Sequence, residues 1–365
     1  MSLILTFLGK GGTGCTTLAI ATAKSLSQRG QRVLLVGQDP TPAFGMAIGA
    51  SLSPDPQEIE QNLKVVQLSS AILLERSWEE LKQQEAKYIR TPFFKAVYGQ
   101  ELGVLPGMDS ALALNALREY DASGIYDVIV YDGASDLSTL RMLGMPEILS
   151  WYIRRFRKVF SESDFAKALS PFIQPVASAV LNVEWSGSSI FDQPATNQVN
   201  NILDQGRVAV ADPSRVGAFL VTTSTPEAIA TAKYFWGSAQ QVGLTVGGVL
   251  HNQGTDSAAI APQFAPLPLT AIPTRAEDWQ PLVDAIPDPQ VMLQAPRPIT
   301  INSAERKVSL FLPTFDKREI KLTQYGPEVT IDAGNQRRNV ILPPELQGQS
   351  VSGAKFQDGY LIISF

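Results

Sequence analysis

The sequence predicts an α/β protein built on a doubly wound, mostly parallel sheet with a helical insertion, followed by a small all-β sandwich. Three observations carry this. Short apolar runs flanked by Gly or Asp recur with helical patterns between them, the mark of βαβ units. A glycine-rich loop, Gly9-Lys10-Gly11-Gly12-Thr13-Gly14-Cys15-Thr16, joins the first apolar run to the first helical pattern. Beyond a proline-rich stretch, helical periodicity gives way to closely spaced alternating segments.

In chain order, residues 2–8, 32–36, 126–131, 216–222 and 245–251 are the clearest strands. The helix over 16–29 stops at Gly30, and the one over 226–242 stops at Gly243, both in a C-cap pattern. Residues of about 50–110 and 148–200 read as a partly helical insertion. The stretch 286–298, with Pro287, Pro289, Pro296 and Pro298, reads as a semi-rigid linker. Past it, 308–312, 319–322, 329–331, 339–342 and 360–365 alternate as strands. The expected division is 1–290 for the α/β unit and 291–365 for the sandwich.

A length of 365 residues suggests roughly two domains. With 44 % hydrophobic and 18 % charged residues the chain can bury a large core. The net charge of -5 gives no general attraction for nucleic acid or anionic lipid, so no nucleic-acid partner is expected. The basic run Arg154-Arg155-Phe156-Arg157-Lys158 reads as a solvated helix face. A single cysteine, Cys15, allows no disulfide, no CxxC zinc site and no thiol triad; it fits a reducing compartment, and the expected location is the cytoplasm. The N-terminal run lacks a basic flank and a cleavage site and reads as a strand rather than a signal peptide. No apolar run reaches the ~18 residues of a membrane span, so no integral membrane segment is expected.

Chemistry concentrates around the glycine loop. Between a strand and a helix, such a loop points backbone N–H groups at phosphate, aided by the positive helix N-terminus. Gly11, Gly12 and Gly14 permit the tight turn, and Gly9, Lys10, Thr13, Cys15, Thr16 and Thr17 complete the candidate nucleotide cradle. The Thr16 hydroxyl stands where the motif puts a Mg²⁺ ligand. Two apolar strands end in carboxylates, Asp39 and Asp132. At that edge of an open sheet, one can join the Mg²⁺ shell while the other orients an attacking water. Each taken alone also reads as a helix N-cap.

The early Lys10, Asp39-Pro40, and Asp132 followed by Thr139-Leu140-Arg141-Met142-Leu143 and Pro146-Glu147 resemble the arsenite-pump ATPase family of P-loop NTPases. That family includes the targeting factors for tail-anchored membrane proteins. The resemblance extends over roughly residues 1–290, through Leu105-Pro106-Gly107-Met108-Asp109, Thr225-Pro226-Glu227 and Val249-Leu250-His251-Asn252-Gln253. It implies ATP and Mg²⁺ as cofactors and a homodimer with nucleotide between the subunits. By the same resemblance Lys10 reaches the nucleotide of the partner subunit, Asp39 positions water, Asp132 joins the Mg²⁺ shell, Asn252 reads adenine and Pro273 lines the base pocket. Helices near 148–175, apolar at helical spacing, stand where the targeting factors carry a hydrophobic client groove; an amphipathic helix packed on its own core fits the same pattern.

Three departures limit the transfer. The zinc-binding CxxC and the thiol ligands for arsenite are both missing, so no zinc is expected and a pump subunit is excluded. Cys15 replaces the lysine that touches the β and γ phosphates. At ~4 Å and an effective dielectric of ~20, that missing charge forfeits on the order of 4 kcal/mol of raw attraction. Lys10 supplied across the dimer would compensate. Cys15 itself has two readings, a reactive thiol activated by the helix N-terminus, or drift to a neutral thiol. Lone His251 reads as core or pocket packing rather than a metal ligand.

Residues near 298–365 resemble the α-crystallin domain of small heat-shock proteins, through Arg338-Asn339-Val340-Ile341-Leu342-Pro343 and Ala354 to Asp358-Gly359-Tyr360-Leu361. The last strand ends at Phe365 without that family's anchoring tail, so a bracing role is expected over open oligomerisation. Two functions remain open: a nucleotide-switched ATPase and chaperone that holds hydrophobic protein segments such as tail-anchored clients, or a nucleotide-stabilised scaffold or holdase with little hydrolysis. A partitioning ATPase would need a basic face or terminal amphipathic helix, which the acidic chain does not offer.

Overall fold

A computed structural model describes residues 1–88, 106–162, 193–254, 256–334 and 336–365. Its first part runs β1 (Leu3–Gly9), α1 (Cys15–Gln28), β2 (Val33–Gly37), α2 (Pro42–Ile48), β3 (Gln57–Glu60), β4 (Leu63–Gln67), α3 (Ser70–Tyr88), α4 (Met108–Ala122), β5 (Val128–Asp132) and α5 (Leu137–Glu162). It continues with α6 (Gln193–Ala211), β6 (Val216–Thr222), α7 (Pro226–Gln241), β7 (Thr245–Asn252), α8 (Ser257–Ile260), β8 (Leu269–Ile272) and α9 (Gln280–Ala285). The eight strands form one sheet in the order β3-β4-β2-β5-β1-β6-β7-β8, with only β3 antiparallel to its neighbour. Strands β2, β5, β6 and β7 are buried along their whole length, as both faces of a parallel sheet require. One face packs on Leu18, Ile20 and Leu26 of α1, the other on Leu140 and Met142 of α5 and Trp236 of α7.

The five strands read from sequence are present within two residues of the expected ends, and both helices stop where Gly30 and Gly243 take positive φ. The stretch expected as a helical insertion is more mixed. Residues 57–67 form β3 and β4, two further strands of the main sheet, before α3 and α4 follow. Charged β3 (QEIE) sits at the sheet edge, where alternating exposed carboxylates block further pairing. The basic run 154–158 begins on α5 with Arg154 exposed and bonded to Ser150; the side chains of 155–158 and the stretch 163–175 lie outside the described residues.

The proline-rich segment is not a free spacer. Residues Pro289–Gln294 form a 3-10 helix whose Met292 is buried against β6 and β7. A Cβ on Gly217 or Gly247 would stand 2.7 or 2.3 Å from Met292 Sδ, so these two glycines leave the slot that the thioether fills.

After it come β9 (Ile299–Asn302), β10 (Lys307–Phe311), β11 (Ile320–Tyr325), β12 (Glu328–Ala333), β13 (Gln336–Ile341), β14 (Gly353–Gln357) and β15 (Tyr360–Ser364). They make a four-stranded antiparallel sheet, β14-β15-β10-β9, and a three-stranded one, β11-β12-β13. Val308, Leu310, Leu361 and Ile363 of the first pack with Val329, Ile331 and Val340 of the second. This small β unit docks on α7. Trp236 meets Phe311 edge to face at 5.7 Å between ring centroids, and Arg338 donates to the Gln240 carbonyl at 2.9 Å.

Candidate functional site: the glycine loop and its carboxylates

The glycine loop, Asp39, Asp132, Asn252 and Pro273 all lie at or just past the carboxyl ends of β1, β2, β5, β7 and β8, on one edge of the sheet. In the loop, Gly12 and Gly14 have φ of 85° and 94°, values reserved in practice for glycine. No atom lies within 4 Å of where a Cβ would stand on Gly11 or Gly12, so that arc of backbone is open to a phosphate-sized group. Thr13 is buried and closes the loop on itself: its N–H donates to the Lys10 carbonyl at 3.1 Å and its hydroxyl to the same oxygen at 2.8 Å. Lys10 itself is exposed, as are Gly11 and Gly12.

Thr16, on the first turn of α1, donates from Oγ1 to Asp132 Oδ1 at 3.2 Å. Asp132 is 3 % exposed, and burial pushes its carboxyl up to about 7, opposed by the Thr16 hydrogen bond and reinforced by the negative charge of Asp39. A carboxylate so poised is ready to gain a compensating cation. One hydroxyl and one carboxylate fit Mg²⁺, which fills the rest of its shell with water and phosphate oxygens. Among the described residues no group of three His, Cys, Asp or Glu could hold a metal by itself.

Asp39 is exposed, with Thr41 N and Oγ1 each donating to its carboxylate at 2.9 Å. Gln67 fastens the same turn by donating to the carbonyls of Asp39 (2.7 Å) and Thr41 (2.8 Å). Asn252 is buried and donates from Nδ2 to the Thr13 carbonyl at 2.8 Å, while a Cβ on Gly14 would collide with it at 2.3 Å. It therefore braces the loop. Pro273 is exposed and follows Ile272, the residue paired with Asn252 across β7 and β8.

The thiol of Cys15 points into the core beneath the loop. It is 9 % exposed, lies 3.7 Å from Thr13 Oγ1, and is pushed up to about 11 by burial, with Asp132 adding to the shift and hydrogen bonds from Ser135 and Thr13 opposing it. Burial is the largest influence on this thiol, and of the two readings of Cys15 it favours the neutral one over activation by the helix N-terminus. His251 is buried between Ser224 Oγ (3.0 Å from Nε2) and Ser257 Oγ (2.8 Å from Nδ1), as expected for a packed residue.

Sequence reasoning missed Ser135 and Gln67. Ser135 has φ of 58°, is buried, and its carbonyl accepts the Gly9 N–H at 3.0 Å, tying the segment after Asp132 to the start of the loop. A left-handed serine carries no sequence mark, since nothing in composition distinguishes it from a helix cap.

Of the stretch expected as an apolar helix near 148–175, residues 148–156 lie on α5. Ile153 packs with Val199, Ile202 and Leu203 of α6, while Leu149 and Tyr152 are 41 % and 51 % exposed. Trp151 Nε1 donates to Glu328 of β12 at 2.9 Å. No helix among the described residues is long and apolar enough to cross a membrane.

The sequence profile of the anion-transporting ATPases matches residues 2–260, and that of the HSP20-like domain found in ArsA matches residues 303–365. A putative arsenical pump-driving ATPase of Chlorobaculum tepidum is 25 % identical, covering 99 % of this chain and 95 % of its own length. One from Aquifex aeolicus is 23 % identical, with 99 % of each chain covered. The ATPase GET3 of Malassezia globosa is 28 % identical over 47 % of this chain and 48 % of its own. The open glycine arc, the Thr16–Asp132 contact below it and the profile match through both together place this chain in the anion-transporting ATPase family, with an HSP20-like domain following the ATPase region.

Proposed function

We propose that this chain is an ATP-binding homodimer that opens and closes with nucleotide, hydrolyses ATP slowly and holds hydrophobic segments of other proteins in the cytoplasm. The observation that supports it most is the hydrogen bond between Thr16 and buried Asp132 at the N-terminus of α1, directly below an open phosphate arc. In this reading residues 9–17 bind the phosphates, Thr16 and Asp132 hold Mg²⁺, and Asn252 with Pro273 border the base. Bound Mg²⁺ would supply charge neutralisation at the phosphates. Asp39 accepts a hydrogen bond from the attacking water; two of its acceptor sites serve Thr41, and a carboxylate has roughly four. Lys10, exposed at the mouth of the loop, is the one cation of the loop and reaches the nucleotide of a second copy. The division into an ATPase unit over 1–290 and a bracing β unit over 291–365 belongs to the same proposal.

A second reading, a nucleotide-stabilised holdase without turnover, has its own support: at position 15 stands a neutral thiol directed into the core, so no charge reaches the phosphates from there. Single-turnover phosphate release separates the two. The ATPase reading expects slow release that falls to background in Asp39→Asn and in Lys10→Ala, with Lys10→Ala also losing nucleotide-dependent dimer closure by small-angle scattering. Release no faster than in Asp39→Asn, with closure retained, selects the holdase. Full activity in Lys10→Ala refutes the trans-lysine role.

A further inference from the structure

A cavity of about 460 Å³ lies away from the glycine loop, between α5, α6, the end of α7 and the β unit's β9 and β13. Its size suits a drug-sized molecule. Apolar side chains make most of its wall, among them Leu143, Val210, Val242, Ile301 and Val340.

Several of its polar side-chain atoms have no partner in the protein. Gln241, 1 % exposed, lines the cavity with neither Oε1 nor Nε2 bonded to anything in the protein. Gln336, 9 % exposed, lines it with Nε2 equally unpartnered. Arg207 adds a buried Nε with no hydrogen-bond acceptor; its nearest carboxylate oxygens, on Asp204 and Glu147, are at 3.6 and 3.7 Å. Buried amides left without partners are costly, and a protein interior seldom gathers several at one spot. Three unpartnered N–H donors around an apolar chamber ask for an acceptor with a hydrocarbon body.

Charge narrows the class. Arg141, Arg207, Arg337 and Arg338 line the cavity, against Glu147 within it and Asp204 and Asp332 beside it. Arg337 is matched by Asp332, and Arg207 shares Asp204 and Glu147. Among the described residues Arg141 and Arg338 have no carboxylate within 4.0 Å. Burial lowers the Arg338 guanidinium to about 10 and raises the Glu147 carboxyl above its ordinary range, so the arginine stays charged at neutral pH. Arginines outnumber carboxylates along this wall, so the cavity carries net positive charge and suits an anion.

We propose that this cavity binds a small amphipathic carboxylate, such as a medium-chain fatty acid. Its head is held by Arg338, Arg207 Nε and the amides of Gln241 and Gln336; its hydrocarbon body lies on Leu143, Val210 and Val340. The site is independent of the glycine loop and does not rest on the ATPase reading.

The test is titration calorimetry on the full-length chain without nucleotide, using decanoate below its micellar concentration, with 1-decanol and acetate as tail-only and head-only probes. Expected is one decanoate per chain, with decanol and acetate each at least tenfold weaker. Gln241→Leu removes a polar group that bonds to nothing in the protein, so the variant is expected to fold with an equal or higher Tm and to bind decanoate at least tenfold more weakly. Arg141→Gln, an exposed change, should weaken decanoate but leave decanol unaltered. Absence of saturable decanoate binding, several sites per chain, decanol binding as tightly as decanoate, or unchanged affinity in Gln241→Leu would each overturn the proposal. So would acetate binding as tightly as decanoate, which would make the site a plain anion site.

Discussion

At position 15 two forces compete for the thiol. A helix N-terminus favours a thiolate by a partial positive charge, while burial among Phe7, Leu18 and Val221 disfavours any charge there. Desolvation is the larger, and a neutral side chain below the phosphate arc follows. The sequence alone left this open because nothing local states whether the side chain turns outward or into the core. His251 obeys the same rule. Burial lowers its imidazole below 6.5, with Asp256 opposing. The sign follows directly: a depressed folded pKa means stability fully present above pH 6.5 and lost as pH falls below it, because unfolding lets the ring take up a proton. The Tm of the wild-type chain should therefore drop more between pH 7.5 and 5.5 than that of His251→Gln; an equal drop in both would show that the ring titrates freely.

Among elements, the 3-10 turn at Pro289–Gln294 shows how a segment that reads as a spacer becomes a fastener. Its prolines say that the backbone is stiff, but the docking depends on Gly217 and Gly247, which precede Met292 by many residues and sit on two strands. No local pattern connects them. Met292→Ala should cost about 2–4 kcal/mol in denaturant unfolding, as for other buried large-to-small changes. Gly247→Ala should also destabilise, and the double variant should be less destabilised than the two single costs added together, since the new methyl fills part of the vacated slot. Strict additivity would mean that the two side chains do not share that space. Legibility elsewhere followed burial. Fully buried β2, β5, β6 and β7 announce themselves as apolar runs, whereas edge strand β3 lies inside the stretch that reads as a helical insertion and edge strand β14 (GAKFQ) shows no apolar alternation that marks it.

Over the whole molecule, the α/β and β parts share side chains. Phe311 of β10 belongs to the same apolar cluster as Trp236 and Phe264, and the backbone at Gly237 comes so close that a Cβ there would lie 2.4 Å from Thr314 Oγ1 and 2.6 Å from the Phe315 ring. Parts joined this closely should unfold together. Calorimetry is expected to give one transition, and Phe311→Ala to lower it as a unit at a cost of about 3–5 kcal/mol. Two resolved transitions in the wild type would show that each part stands alone. The α/β and β parts were legible in the sequence, as were the glycine loop, Asp39 and Asp132 that meet at one sheet edge, because each is marked by a local pattern. The contact between the parts, and the cavity within it, come from five separate segments and exist only once the chain has folded.

Helix α5 gives this assembly a mechanical property. It is 26 residues long, about 39 Å at ~1.5 Å per residue, and starts five residues after Asp132. At its tenth residue, Pro146 is seated on Gly206 of α6, where a Cβ would come within 3.0 Å of the proline ring. A tilt of ~5° about that point moves the near tip, ~14 Å away, by roughly 1 Å and the far tip, ~24 Å away, by roughly 2 Å. One helix thus spans the carboxylate edge at its start, the wall of the arginine-lined chamber at 141–149 and exposed Tyr152 past the proline, so a shift in its tilt would be felt at all three places.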